Sequence, residues 1–249
     1  MTMTLLQICQ EALRTTTVAA PSSIVASTAA GQKLLSLANT TGKDIASRYD
    51  WEALKQEATF TTIAPATQFA MATEYPELKK IVEKTMWNRT RQERVFGPLN
   101  AEAWQRIQAV DVAPPSLYYR IRGGSLLLAG TWDAGETIAF EFISKEWVSN
   151  ATSTNTFEAF QANDDYPLVD DQLMVLGVRW RYRESIGMEY AEAFRDYEMR
   201  LETLIGDDAE RETLSLTRRR SEFDLGTPNA DVTITTNSPD FSDTDITWN

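Results

Sequence analysis

Leu5, Ile8, Cys9, Ala12 and Leu13 return at intervals of three and four residues, which puts them on one side of a helix predicted over residues 4–15. Pro21-Ser22-Ser23 offers a break and an N-cap. Leu34, Leu37, Ala38, Ile45 and Tyr49 then stripe a second helix over 24–49, with Gly31 and Gly42 as points where it kinks or divides. Past Trp51 the period shortens. Residues 59–63 and 67–72 are β-prone runs on either side of Ala64-Pro65-Ala66 and read as a hairpin, and 83–95 reads as another strand pair. Asn100 caps a short amphipathic helix over 101–109, and Pro114-Pro115 ends that stretch.

The plainest β signal follows. Residues 117–122 and 125–128 flank Gly123-Gly124, the pair that a two-residue primed turn demands. Asp133-Ala134-Gly135 turns the chain into 137–143, so the three runs read as a three-stranded antiparallel meander. Gly123-Gly124 lacks the lysine and the following helix of a phosphate loop. Helix returns at Asp170, with Leu173, Leu176, Gly177 and Trp180 on one face and Met174, Val178 and Tyr182 on another. Gly187 stops it. A last helix over 188–205 carries Tyr190, Phe194, Tyr197, Leu201 and Leu204 as its apolar stripe.

These patterns predict an α+β fold. Residues 1–55 and 166–210 supply one helical bundle from the two ends of the chain, and 56–165 form an inserted antiparallel β-rich region with a short helix. The remainder, 211–249, is an extended interaction tail rich in Thr, Ser, Asn and Asp, with too few aliphatic residues for a core of its own. The aromatic and aliphatic residues Phe223, Val232, Ile234, Phe241 and Trp248 recur along it and are the expected partner-binding anchors. Arg218-Arg219-Arg220 precede them.

Composition narrows the chemistry. The chain has no histidine, so a Ser/His/Asp triad, a Cys/His dyad and every His-containing zinc site are excluded. The single Cys9 has no intrachain partner and lies on the apolar side of the first helix, as a buried thiol would. Net charge is −12, and no basic footprint for sequence-specific duplex binding is visible. Half of that charge sits on Glu222, Asp224, Asp231, Asp240, Asp243 and Asp245. Asp164-Asp165 and Asp170-Asp171 form the densest acidic cluster, but their spacing matches no EF-hand and they read as caps of loop and helix amides. Seven tryptophans invite a sugar-binding reading, against which Trp51, Trp104 and Trp180 fall on helical faces as core residues. Asn39, Asn88 and Asn150 begin N-x-Thr triplets that read as chance matches. The N-terminus has no basic start or small-residue cleavage site, and no run is apolar enough to span a bilayer, so neither a signal peptide nor a membrane is expected. No catalytic, cofactor-binding or metal residue is nominated.

Three stretches carry a resemblance: LLQICQEAL with QKLLSLANTTGKDIASRYDWEALKQEATFTT, then KTMWNRTRQERVFGPLNAEAWQRI with YYRIRGGSLLL, then DDYPLVDDQLMVLGVRWRYRESIGMEYAEAFRDYEMRLETL. In this order the chain resembles the head-to-tail adaptor (connector, or tail-tube A-like) proteins of short-tailed bacteriophages, over about residues 4–205. The resemblance implies a non-enzymatic virion protein at the head–tail junction, assembled in the host cytoplasm. It implies a cyclic homo-oligomer of twelve copies docked between the portal protein and a tail or nozzle protein, sealing and lining the DNA exit channel. Double-stranded DNA would pass through without sequence-specific binding, and an acidic wall suits that passage because like charge keeps the duplex from sticking. Two alternatives stay open: another head-completion or minor tail protein, and a carboxylate-based hydrolase of cell-wall glycan.

Overall fold

The computed structural model describes residues 2–14, 21–25, 28–109, 114–150 and 155–209. Thr4 opens the first helix through a capping box: its hydroxyl accepts from Gln7 N, and the Gln7 side chain accepts from Thr4 N. The helix that follows, α1 (Leu5–Leu13), buries the five predicted residues. The second, α2 (Ala29–Arg48), starts later than expected because Thr28, not the Ser22-Ser23 pair, provides the cap. It runs unbroken through both glycines. A 3₁₀ turn over Glu52–Leu54 leads into the β region: β1 (Lys55–Thr61), β2 (Thr67–Ala70), the one-turn helix α3 (Met71–Glu74), β3 (Leu78–Ile81), β4 (Trp87–Asn88) and β5 (Glu93–Arg94). Helix α4 (Ala101–Gln108), capped by Asn100, precedes β6 (Tyr118–Arg122), β7 (Ser125–Ala129) and β8 (Thr137–Ser144). Three two-residue strands, β9 (Val148–Ser149), β10 (Thr156–Phe157) and β11 (Tyr166–Pro167), form a small sheet before α5 (Asp171–Ser185) and α6 (Ala191–Ala209).

The fold class is α+β. Helices α1, α2, α5 and α6 share one apolar core, from Leu5 and Ile8 through Leu34 and Ile45 to Leu173, Val178, Tyr197 and Leu201. The two ends of the chain therefore meet in one bundle, with the antiparallel β region inserted between them. The tail that the sequence expects beyond 210 lies outside the described residues.

The pairing of strands corrects two expectations. Residues 59–63 and 67–72 do not make a hairpin, since β1 pairs with β8 while β2 pairs with β7. The meander also fails at its third strand: β6 and β7 pair as predicted across Gly123-Gly124, both at positive φ, but β8 leaves for the other sheet. The reason is two-sided burial. On β7, Leu126 and Leu128 enter the core between the two sheets while Leu127 and Ala129 pack against Trp104 of α4. On β8, Ile138, Phe140 and Phe142 face the same inter-sheet core, and Ile143 reaches the bundle. Each strand is central to its own sheet, and laying the sheets face to face buries more apolar surface than one meander would.

The two crossings between sheets are tied to each other. Thr62 N donates to Glu136 O at 2.8 Å, Gly135 N to Thr62 O at 2.9 Å, and the Thr62 hydroxyl to Asp133 O at 2.6 Å. Beneath them the buried Glu136 carboxylate accepts from Asn88 Nδ2 at 2.6 Å, from Arg91 Nε and from Asp133 N. The predicted strand pair within 83–95 exists only as the short β4–β5 ladder.

Bundle and β region interlock through Trp147. Its ring lies over the backbone of α2 at Gly42 and meets Phe160 edge-on at 5.0 Å. Gly177 of α5 allows a second close approach, with Thr41 of α2 filling the space where a side chain would stand.

Candidate partner-binding surface

One group of ionisable side chains inside the bundle, centred on Asp44, is mutually engaged. Arg181, on α5, donates from Nη2 to Asp44 Oδ2 at 2.8 Å and from Nη1 to Thr41 Oγ1 at 3.2 Å, and its guanidinium stacks 4.3 Å from the Trp180 ring centre. Tyr197 OH, on α6, donates to the same Asp44 oxygen at 2.9 Å, and Arg48 Nε reaches the other at 3.2 Å. Burial opposes ionisation of Asp44, but hydrogen bonds from Arg181, Tyr197 and Arg48 outweigh it and hold the carboxyl below its ordinary value. Burial, followed by the Asp44 charge, pushes the Tyr197 phenol up. The arrangement pins α2, α5 and α6 together.

The acidic cluster serves as caps. Asp170 Oδ1 accepts from Leu173 N at 2.8 Å at the start of α5, and its other oxygen pairs with Arg200 at 2.9 Å. Asp171 Oδ2 takes Met3 N at 2.8 Å, which ties the N-terminal segment to α5. Asp165 Oδ2 accepts from Gln161 N and Ala162 N, both at 2.7 Å. Among the described residues no group of three or more acidic or cysteine side chains is placed to hold a metal ion. Asn88 is fully buried and Asn39 Oδ1 accepts from Phe160 N at 2.8 Å, so both these asparagines have structural partners.

Surface is where the structure departs most from the expected stripes. On α6 the buried line is Ala193, Tyr197 and Leu201, whereas Tyr190 and Phe194 are 40% and 38% exposed. Trp180, expected in the core, sits half-buried at the α5–α6 seam, 5.1 Å from the Phe194 ring and 6.3 Å from that of Tyr190. Ile186 and Met188 in the connecting turn are also exposed. Beside them Gln172, Leu176, Arg179 and Arg183 share the outer face of α5 at offsets of four, seven and eleven, with no acidic residue in the row. Arg179 Nε, Trp180 Nε1 and Arg183 Nε are each closed off from solvent without an acceptor among the described residues. A donor left in that state costs about 1–3 kcal/mol.

The sequence reading missed this face. Its signal was the alternation of Arg and aromatic residues in Arg179-Trp180-Arg181-Tyr182-Arg183: only Arg181 and Tyr182 of the five turn into the bundle. A second set of exposed apolar side chains, Ile63, Trp87, Phe96 and Ile121, lies in the β region. The anchors expected on the tail (Phe223, Val232, Ile234, Phe241 and Trp248) lie outside the described residues, as do Arg218, Arg219 and Arg220. No helix among the described residues is long and apolar enough to cross a membrane. No protein-family model and no curated protein matches the chain.

Proposed function

We propose that this chain is a structural virion protein, the subunit of an adaptor ring between the portal and the tail of a short-tailed phage. The observation that carries the reading is that exposed apolar side chains occur on two unlike parts of the chain. Ile186, Met188, Tyr190 and Phe194 lie beside half-buried Trp180 at the α5–α6 seam, with Met199 further along α6 and Val25 before α2, and Ile63, Trp87, Phe96 and Ile121 lie in the β region. A ring closes through heterologous contacts, in which each copy offers two different faces rather than one self-complementary face. The order of helices and strands along the chain supports the same reading through its resemblance to such adaptors. In this role the chain carries out no turnover, binds no cofactor or metal, and acts through self-association and contact with portal and tail or nozzle proteins.

The reading is tested by locating the protein in particles. Purified virions, both intact and stripped of tails by mild denaturant, are probed with gold-labelled antibody against this chain. The label is expected at the head–tail junction in several copies per particle. Particles without the protein, or label confined to tail fibres or head interior, contradict the assignment. A second assay scores peptidoglycan zymograms, where a clearing band at this chain's mass would favour the hydrolase alternative.

A further inference from the structure

We propose that the face formed by Leu176, Arg179, Trp180 and Arg183, with Tyr190 and Phe194 across the seam, receives the acidic segment 221–249 of a second copy of the chain. The inference rests on the self-association proposed above and names what the bundle-side half of that contact holds.

Three observations converge on the occupant. The row of Gln172, Leu176, Arg179 and Arg183 on α5 holds two arginines and no acid in a chain of net charge −12, with Glu184 and Glu189 confined to the turn end of the seam, so along that row an acidic partner meets cations. Arg179 and Arg183 make no ion pair among the described residues, so both charges are available to a carboxylate. The aromatic side chains beside them are exposed and adjoin one another, which calls for apolar anchors in the same partner. The occupant must therefore combine carboxylates with aromatic residues and bring no positive charge. Segment 221–249 has that composition: six acids, no Lys or Arg, and Phe223, Phe241 and Trp248 at intervals. An arginine fork donates two parallel hydrogen bonds to a carboxylate, and the apolar residues between the acids fill the seam. Such a contact joins unlike parts of two copies, as each contact in a ring does.

The test traps the contact between full-length copies. Copies bearing an affinity tag and Arg183→Cys are mixed with untagged copies bearing Phe241→Cys and oxidised mildly. Cys9 is buried and stays silent in both. A mixed disulfide between tagged and untagged chains is expected, and adding Arg179→Glu to the tagged copy should lower its yield on the order of tenfold. Tagged copies with Ile121→Cys in place of Arg183→Cys give the background. Mixed disulfide no stronger than that background overturns the proposal. So does an intrachain disulfide, in a copy bearing both substitutions, that forms without any inter-copy product. Native mass measurement on the same samples separates the two readings: assembled copies that lack the disulfide overturn this docking and leave the ring standing.

Discussion

Residue 42 has no room for a side chain, because a Cβ on Gly42 would stand 2.0 Å from Cη2 of Trp147. The indole that closes the β region onto the bundle thus lies directly on the backbone of α2, and its fit depends on the missing methyl. The two residues belong to parts of the chain with opposite periodicities. Their contact is what makes the inserted region part of the bundle.

Gly42→Ala should therefore destabilise the fold despite improving helix propensity. The expected loss in urea unfolding is about 1–3 kcal/mol, the cost of forcing a tightly packed core apart. Gly206→Ala is the control: a Cβ there meets nothing, and the substitution should add about 0.5–1 kcal/mol. Equal stability of Gly42→Ala and the unaltered chain would show that Trp147 moves aside freely.

Asp44→Asn should loosen the contact of α2 with α5 and α6. Asp44 is partly exposed, so the loss at neutral pH is about 1–3 kcal/mol rather than the full cost of a buried unpaired arginine. Its carboxyl is held below the ordinary value, so the folded state binds the proton less readily than the unfolded chain. The stabilisation is complete above the unfolded value near about 3.9 and is lost as pH falls through the lower folded value. The gap between the two proteins in denaturant titrations should be constant from about pH 5 to 8 and shrink below about pH 4. A gap that widens on acidification would contradict this sign.

Burial pushes the Cys9 thiol up to about 12. Almost no thiolate is present at pH 8, and the thiolate is the reactive species. A chromogenic disulfide reagent should leave the native protein unlabelled for hours and modify one thiol per chain once denaturant unfolds it. Rapid labelling in native buffer would mean that α1 detaches from the bundle.

Thr62 holds the two sheet crossings together through its hydroxyl as well as its backbone. Its Oγ1 donates to Asp133 O at 2.6 Å and accepts from Glu136 N at 3.0 Å. Thr62→Val keeps the shape and removes both bonds, with an expected loss of about 1–3 kcal/mol by thermal or denaturant unfolding. Thr62→Ser restores the hydroxyl and should recover most of it. If Ser behaves like Val, the hydroxyl is not what ties the crossings.

Local patterns were legible in the sequence where local forces decide. The five buried positions of α1, the Asn100 and Asp170 caps and the Gly123-Gly124 turn all follow from spacing and cap chemistry, and the structure has each of them. Pairing partners were not legible. Leu126 to Ala129 are apolar on both faces of their strand, and such a run does not say which neighbour it takes. The α6 stripe was misread because Tyr190 and Phe194 lie only slightly to one side of the line of Tyr197 and Leu201. A shift of part of a turn carries an aromatic residue from core to surface. Gly42 read as a kink because nothing local reveals a tryptophan arriving from a distant part of the chain. The proposed binding face was hidden for a related reason: Arg179, Trp180 and Arg183 look like ordinary helix residues until the packing shows which side is left uncovered.

Imaging of the protein bound to its portal tests the adaptor ring. Purified full-length chain is mixed with portal assemblies from the same particle and examined by cryo-electron microscopy. An added ring of cyclic symmetry is expected on one end of the portal, built from copies that contact one another through the α5–α6 seam. Portal images unchanged at saturating protein, with the chain remaining monomeric by mass, would contradict it.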